Sequence, residues 1–222
     1  MDRSEVRQML RTIERESEFA ARFTGRPKLS RRVLQALADV PREQFVPPEM
    51  VPYAYADNAL PIGEGQTISQ PFIVALMTDL LQTEKTDIIL EVGTGSGYQA
   101  AVLSRLVDKV YSLEIIPELA EQTSQLLNRL GFTNVEVLCA DGYGGLPDKA
   151  PFDGIIVTAA APDIPLPLKE QLKPSGHLVI PVGLPYSHQE LMVCDKDPHG
   201  HTHTREILGV AFVPMTGKRT GR

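Results

Sequence analysis

Residues 93–97 read Gly-Thr-Gly-Ser-Gly, and this glycine-rich turn constrains the fold more than any other feature of the chain. The apolar run Ile88–Val92 precedes the turn, and a helical pattern over Gln99–Leu106 follows it. A strand, a glycine turn and a helix in this order begin a βαβ unit, whose helix N-terminus presents backbone N–H groups to a ligand. The turn therefore predicts a parallel sheet with a ligand at this point.

The rest of the chain repeats the alternation of strand and helix. It predicts strands at Lys109–Ile115, Val135–Ala140, Phe152–Thr158 and His177–Val182, with helices at Pro117–Leu130 and Pro165–Leu172. Two late strands, Glu190–Asp195 and Ile207–Val213, are separated by a turn around residues 197–200 and are expected to be antiparallel. The pattern indicates an α/β, Rossmann-like sheet that is mostly parallel and ends in antiparallel strands.

The N-terminal part follows a different pattern. Residues 2–22 are expected to be helical, and Ser30 is placed to cap a second helix that ends before Pro41. Five prolines between residues 41 and 65 indicate an extended, loop-rich segment, after which Ser69 and Pro71 open a third helix. The predicted organisation is an N-terminal extension over residues 1–65, packed on an α/β core over residues 66–222 in one compact unit.

Composition narrows the function classes. The formal net charge of −6 disfavours nucleic acid as the main partner. The N-terminus lacks the apolar core of a signal peptide and no apolar stretch is long enough to span a bilayer, so a cytoplasmic protein without membrane contact is expected. Cys139 is expected to be a buried thiol. His199, His201 and His203 alternate, but their turn-like setting predicts no metal site.

The spacing of the glycine turn and its acidic neighbours favours S-adenosylmethionine over a dinucleotide. The turn reads GxGxG, not GxGxxG, and Glu91 lies where it would repel a pyrophosphate and hold an ammonium group. Glu114 ends the second strand, where it can accept hydrogen bonds from ribose hydroxyls. Asp141-Gly142 follows the third strand and is placed to meet the adenine. A dinucleotide site and a tight βα turn without a ligand remain the alternatives.

Eight segments in order across residues 30–217 resemble the protein-L-isoaspartate O-methyltransferase family. The segments that are specific to it include Thr67-Ile68-Ser69-Gln70-Pro71 and Thr158-Ala159-Ala160-Ala161-Pro162, whereas many methyltransferases share the glycine turn. The matching segments are VPREQFVP from Val40, IGEGQTISQP from Ile62, LEVGTGSGYQAAVLSRL from Leu90, VYSLEI from Val110, DGYGGLP from Asp141, FDGIIVTAAAPDIP from Phe152, LKPSGHLVIPVG from Leu172 and FVPMTG from Phe212.

The resemblance implies a set of functional residues and partners. Ser69 matches the active-site serine, and S-adenosylmethionine, with S-adenosylhomocysteine as its product, is the expected cofactor, without a metal. The substrates would be isoaspartyl-containing proteins and peptides. Independently of the resemblance, a monomer is expected rather than an oligomer. The residues expected to contact the donor are Gln66, Thr67, Ile68, Glu91, Gly93, Thr94, Gly95, Gly97, Glu114, Asp141, Gly142 and Thr216, and those expected to contact the substrate are Ile62, Ala159, Ala160 and Val213.

The chemistry of carboxyl methylation suits a site without an obvious catalytic His or Cys. A carboxylate has an ordinary pKa of about 4 and is already ionised at neutral pH, so it needs alignment rather than a general base. Ser69 can orient it, although the same residue can also be a simple N-cap of the following helix. The Asn/Asp-Pro-Pro-aromatic motif of many N-methyltransferases is missing. An RNA or small-molecule methyltransferase and a non-catalytic donor-binding module remain the alternatives.

Overall fold

A computed structural model describes residues 3–185 and 187–218 of the chain. Its helices are α1 (Arg3–Thr24), α2 (Arg31–Asp39), α3 (Pro71–Leu80), α4 (Tyr98–Ser104), α5 (Pro117–Arg129) and α6 (Leu166–Glu170). Its strands are β1 (Leu60–Gly63), β2 (Gln66–Ile68), β3 (Ile88–Val92), β4 (Lys109–Glu114), β5 (Val135–Cys139), β6 (Phe152–Val157), β7 (Leu172–Gly183), β8 (Gln189–Lys196) and β9 (Thr202–Val210).

Seven strands form one sheet in the order β5-β4-β3-β6-β7-β8-β9. The first five strands of this order are parallel, and β8 and β9 join β7 in antiparallel pairing, which confirms the predicted fold class. The chain leaves β3 towards β4 on one side of the sheet, whereas β6 continues to β7 on the other. The loops after β3 and β6 therefore diverge, and such a switch point opens a crevice at the carboxyl ends of the strands.

The central strands read as continuous apolar runs because both faces of the sheet are covered. Ile89 and Leu90 of β3 are fully buried although they point to opposite faces. The edge strand β5 is covered less completely. Cys139 at its end is exposed, so the expectation of a buried thiol there was wrong, and the cause is this edge position.

Helices α1 and α2 pack on the core through α3. Met9 and Ile13 of α1 are buried in the same hydrophobic cluster as the residues of α3 and α4. Asp79 of α3 also ties down the link between α1 and α2, because its carboxylate accepts hydrogen bonds from the Arg26 guanidinium at 2.7 Å and from the Ser30 backbone N–H at 2.8 Å. The N-terminal extension is thus anchored both by apolar burial and by charged contacts such as the Arg26–Asp79 pair.

Residues 41–65 are more ordered than the sequence predicted. Two 3₁₀ turns, Arg42–Phe45 and Pro48–Tyr53, are followed by a hairpin of β1 and β2. The hairpin turns at Glu64 and Gly65, which both adopt positive φ angles. The hairpin was not predicted, because Pro61 lies in its first strand and proline usually indicates a loop.

Three boundaries in the C-terminal half also differ from the predictions. Helix α6 spans only Leu166–Glu170, and β7 begins at Leu172 instead of His177. Strand β9 spans Thr202–Val210, earlier than predicted, because its first residues are exposed on the sheet edge and lack the apolar pattern used to locate strands. Within residues 3–185 and 187–218, no helix is long and apolar enough to cross a membrane.

Candidate active site

A cleft opens at the carboxyl edge of the sheet, at the switch point between β3 and β6. Its walls come from the glycine turn, the ends of β4 and β5, the loop after β6, the β2–α3 junction and a C-terminal segment. The residues that line it are Gln66, Thr67, Ile68, Ser69, Val74, Val92, Gly93, Thr94, Gly95, Ser96, Tyr98, Gln99, Leu113, Glu114, Ile115, Ile116, Ala140, Gly142, Thr158, Ala159, Val213, Pro214, Met215 and Thr216.

The glycine turn is shaped by close neighbours as well as by its own backbone. Gly93 has a φ of 95°, and a Cβ there would lie 2.5 Å from Thr158 Oγ1. The Thr158 hydroxyl donates to the carbonyl of Gly93, so the loop after β6 holds the turn in place. Gly97 has a φ of 83° and begins α4, and a Cβ there would lie 2.5 Å from Thr123 Cγ2. Gly97 therefore supports the turn from behind the cleft.

Glu114 presents a fixed carboxylate in the wall of the cleft. Its Oε2 accepts a hydrogen bond from the Gly95 N–H at 2.8 Å, and its Oε1 accepts one from the Ile116 N–H at 3.0 Å. A carboxylate has about four acceptor positions, so capacity remains for the hydroxyls of a ribose. The structure thus joins the end of β4 to the glycine turn, as a nucleoside site requires.

Glu91 lies behind the wall of the cleft and does not line it. The hydroxyl of Ser112 donates to Glu91 Oε2, and Ser112 Oγ lies 2.6 Å from Thr94 Oγ1. Burial, with a smaller contribution from the nearby Glu114 charge, raises the pKa of Glu91 to about 8 despite the Ser112 hydrogen bond. Its Oε1 has no hydrogen-bond partner within the part of the chain that the structure describes. Glu91 therefore bears on the cleft through Ser112 and Thr94.

Ser69 lies between β2 and α3 and lines two cavities. It lines the cleft, and together with Thr67 it also lines a second cavity of about 1100 Å³ beside β9. The N-cap of α3 is Gln70, so the alternative that Ser69 is only an N-cap was wrong. Among residues 3–185 and 187–218, none is hydrogen-bonded to the Ser69 hydroxyl, which leaves it available to a bound molecule.

Asp141 and Gly142 occupy different positions relative to the cleft. Gly142 lines it, and a Cβ there would lie 2.2 Å from Val92 Cγ1. The Asp141 carboxylate accepts hydrogen bonds from the Tyr143 N–H at 3.0 Å and from the Lys218 N–H at 2.6 Å. Asp141 thus caps the turn after β5 and holds the C-terminal segment, and it lies outside the cleft lining.

The C-terminal segment closes one side of the cleft. It is fixed to the loop after β6, because the Ala160 N–H donates to the Val213 carbonyl at 2.8 Å and the Met215 N–H donates to the Ala160 carbonyl at 2.8 Å. Ala159, Val213 and Thr216 line the cleft. Ala160 is buried behind the lining, and Ile62 on β1 also lies outside it, near Gly95.

Sequence analysis missed several residues of the cleft. The cleft lining continues from the glycine turn into the start of α4 with Ser96, Tyr98 and Gln99. These residues could have been predicted, because the N-terminus of the helix after the turn is expected to reach the ligand. Pro214 and Met215 belong to the FVPMTG segment already noted, which indicates their position. Thr158 belongs to the family-specific segment Thr158–Pro162, but no role was predicted for it.

The arrangement fits S-adenosylmethionine. The glycine turn can hold the amino-acid part of this ligand, and the Glu114 carboxylate can accept hydrogen bonds from its ribose. Val92, Leu113 and Met215 form an apolar wall for the adenine. Within the described ranges, no group of three or more His, Cys, Asp or Glu side chains is arranged to hold a metal. Of the three alternating histidines, His201 instead contacts Asp197, with 3.2 Å between Nδ1 and Oδ2. The fold and this cleft define an S-adenosylmethionine-dependent methyltransferase.

Comparison with known proteins agrees. The sequence model of the protein-L-isoaspartate(D-aspartate) O-methyltransferase (PCMT) family matches residues 21–220. Protein-L-isoaspartate O-methyltransferase 2 of Nitrosococcus oceani is 61% identical over 212 residues, which cover 96% of each chain. Its namesake in Syntrophobacter fumaroxidans is 54% identical over 209 residues, which cover 94% of this chain and 85% of that protein. The chain belongs to the protein-L-isoaspartate O-methyltransferase family.

Solved structures extend the comparison to the fold. A protein-L-isoaspartate O-methyltransferase structure superposes with a TM-score of 0.83 at 28% identity, covering 97% of this chain and 67% of that one. A Plasmodium falciparum protein, described as a putative member and solved with S-adenosyl-L-homocysteine, gives a TM-score of 0.76 at 22% identity, covering 96% and 98%. The second comparison supports the fold alone.

Proposed function

We propose that this protein transfers a methyl group from S-adenosylmethionine to the free α-carboxylate of L-isoaspartyl residues in damaged proteins, which initiates their repair. The observation that carries the proposal is the position of Ser69 between two cavities. One cavity has the glycine turn and Glu114 in its walls, and the other lies beside β9, where we propose that the peptide binds. Ser69 and Thr67 line both cavities, and of these two residues Ser69 is the one that matches the active-site serine of the family.

The residues at this junction supply alignment and not acid–base chemistry. The bound donor supplies an electrophilic methyl group. Ser69 can donate a hydrogen bond to one oxygen of the substrate carboxylate, which orients the ion without removing its charge. In-line placement of a nucleophile within a closed cleft contributes a large part of such a rate enhancement. No proton has to be removed from the carboxylate, because its pKa of about 4 keeps it ionised.

The donor side of the cleft is proposed to be built from the residues predicted from the sequence. Gln66, Thr67, Ile68, Gly93, Thr94, Gly95, Glu114, Gly142 and Thr216 line it and are proposed to contact the donor. Glu91, Gly97 and Asp141 lie behind the lining, and for these we propose support of the donor site from behind. On the substrate side, Ala159 and Val213 line the cleft, and Ile62 and Ala160 are proposed to shape it from outside.

The setting of the enzyme remains a proposal as well. We propose a cytoplasmic monomer whose partners are isoaspartyl proteins and peptides, without nucleic acid or membrane contact. The net charge of −6 supports the exclusion of nucleic acid. The division into an extension over residues 1–65 and a core over residues 66–222 also stays a prediction. Analytical ultracentrifugation tests whether the protein is a monomer, and limited proteolysis tests the division at residues 65 and 66.

The deciding experiment offers labelled donor with an isoaspartyl peptide and, separately, with its normal aspartyl twin. Label is expected in the isoaspartyl peptide and at background level in its twin. Equal labelling of both peptides, or of neither, would exclude the proposed acceptor. Total RNA and a metabolite extract serve as further acceptors, because label there would indicate an RNA or small-molecule methyltransferase. Donor binding without transfer to any acceptor would indicate a binding module.

A further inference from the structure

Arg42 is a fully buried cation in the N-terminal extension, and it lines neither cavity. Its exposed fraction is 0%, and within the described part of the chain it forms no ion pair with a carboxylate. Burial lowers the pKa of its guanidinium. A buried charge without a paired countercharge is costly. The contacts of Arg42 and the nearby Asp57 charge offset this cost only in part, because Nη1 has no hydrogen-bond partner among the described residues.

Those contacts join the extension to both sides of the cleft. Arg42 Nη2 donates to the Ser69 carbonyl at 2.7 Å, and Nε donates to the Ala54 carbonyl at 2.8 Å. The guanidinium carbon lies 4.7 Å from the centre of the Tyr98 ring, within the range of a cation–π contact. Tyr98 is the first residue of α4 and lines the donor cleft. One side chain thus contacts the Ser69 backbone and the helix that follows the glycine turn.

Asp57 holds the same junction from the other side. Its Oδ1 accepts a hydrogen bond from the Phe72 N–H at 2.8 Å, and its Oδ2 accepts one from Gln70 Nε2 at 2.8 Å. Gln70, the N-cap of α3, makes no capping bond through its own side chain. Asp57 therefore provides the cap from a distant position and fixes the first turn of α3 directly after Ser69.

We propose that Arg42 and Asp57 form a clamp that positions Ser69 for methyl transfer. Neither residue touches donor or substrate, so both are positioning residues. The Ser69 hydroxyl has no partner among the described residues, and its location therefore depends on the backbone that the clamp holds. A displacement of about 1 Å at such a group can lower a rate by up to about a hundredfold. This inference rests on the proposed function for its kinetic test, and on hydrogen exchange for an independent one.

The kinetic test is a double-mutant cycle with Ser69→Ala. Arg42→Lys keeps the charge and loses the forked geometry, and Asp57→Ala removes both acceptors. Each variant alone is expected to lower kcat about tenfold, with donor Kd and peptide KM within about threefold of wild type. In the Ser69→Ala background the same changes should lower kcat by less than about twofold, because the positioned group is gone. Asp57→Asn keeps an acceptor for the Phe72 N–H and should restore most of the rate.

Arg26→Lys is the matched control. Arg26 is a partly buried arginine that contacts Asp79 near the C-terminal end of α3, far from Ser69. It should lower the unfolding temperature and leave kcat unchanged in both backgrounds. Equal losses of kcat with and without the Ser69 hydroxyl would show that Arg42 and Asp57 are merely structural, and would overturn the clamp.

Hydrogen exchange tests the clamp without an assay of activity. Arg42→Lys and Asp57→Ala are expected to speed amide exchange over residues 66–72 by about tenfold, whereas Arg26→Lys should not affect that segment. Unchanged exchange there would overturn the clamp whether or not the protein is active. If Arg42→Lys does not fold, the Asp57 variants carry both tests. A wild-type protein that methylates no isoaspartyl peptide would overturn the proposed function, and the exchange result would still decide the clamp.

Discussion

The two halves of the cleft are built in different ways. The donor half is formed by turns that directly follow the parallel strands, and Glu114 is fixed by the N–H groups of Gly95 and Ile116, which lie in two of these turns. The acceptor half places Ser69 by contacts from Arg42 and Asp57, which lie 27 and 12 residues earlier in the chain. The donor half thus consists of turns within the sheet, one of which Thr158 also holds, whereas the position of Ser69 depends on contacts from the N-terminal extension.

The halves also differ in how many of their polar groups are already engaged. In the donor half, Thr94, Glu114 and Thr158 all hydrogen-bond to neighbouring residues. In the acceptor half, the side chain that we propose to touch substrate has no partner among residues 3–185 and 187–218. Rigid donor binding and an available hydroxyl are the combination that alignment catalysis needs. The comparison predicts that damage to the donor half weakens binding, whereas damage to the acceptor half lowers the rate.

The largest effect is expected from Gly93→Ala. A Cβ at this position meets Thr158 Oγ1 at 2.5 Å on a backbone with a φ of 95°, so the turn and its hydrogen bond to Thr158 must both shift. Donor affinity should fall by more than about tenfold, and stability by about 1–3 kcal/mol. Isothermal titration with S-adenosylhomocysteine and urea unfolding measure the two quantities.

Gly131→Ala is the matched control for this change. Gly131 follows α5 with a φ of 80°, but a Cβ there meets no atom within 4 Å. The variant should lose about 1–2 kcal/mol of stability and keep normal donor affinity. Loss of donor binding in both variants would mean that global destabilisation, and not the shape of the turn, controls the donor half.

A second prediction concerns the rate. Ser69→Ala should lower kcat for an isoaspartyl peptide by about tenfold to a hundredfold, because the carboxylate loses the hydroxyl that orients it. Donor affinity should stay within about twofold, since Glu114 and the glycine turn are unchanged. Steady-state kinetics and titration of the donor measure both. Full activity in this variant would remove Ser69 from its proposed role and make the two halves functionally alike.

The same contrast explains what could be predicted from the sequence. The glycine turn, Glu114 and Gly142 could be predicted to lie near a ligand, because each lies at or just after the end of a strand with a clear apolar pattern. The clamp was not found, although Arg42 lies inside a segment that was noted. An arginine bound to carbonyls of residues 54 and 69 leaves no periodic or spacing signal. For Asp57, nothing in the local sequence indicates a cap for a helix 14 residues later.

The errors in the fold prediction have a similar origin. The hairpin of β1 and β2 was hidden by Pro61 and the short strand lengths. Cys139 and the first half of β9 were misjudged because both lie on edge strands, where burial depends on what covers the sheet. An apolar run locates a strand but does not reveal its place in the sheet, and place in the sheet decides exposure.

A third prediction sharpens the electrostatics of the donor half. Glu91 has a folded pKa of about 8 against an ordinary value of 4.5, so the folded protein keeps a proton that the unfolded chain releases. Stability should therefore fall as pH rises from 4.5 towards 8 and level off above that. Glu91→Gln removes this contribution, so the difference between wild type and variant should change by at most about 1.4 kcal/mol per pH unit. Urea unfolding at several pH values in that window measures it, and parallel curves would contradict the assigned burial.

The smallest effect is expected from Asp141→Asn, which separates two roles for this residue. The structure commits its carboxylate to the Tyr143 and Lys218 N–H groups, whereas the sequence predicted a contact with the adenine. The asparagine keeps one acceptor oxygen, but its amide NH₂ faces the second N–H group that the carboxylate now accepts from. The C-terminal segment should therefore loosen, and the free energy of unfolding should fall by about 1 kcal/mol. Donor affinity should fall about twofold to fivefold, because Val213 and Thr216 line the cleft only when that segment is in place.

Trypsin should cleave the Asp141→Asn variant after Lys218 faster than it cleaves wild type or Asp148→Asn, a control at an exposed carboxylate. A hundredfold loss of affinity with unchanged cleavage would instead indicate that Asp141 contacts the donor itself.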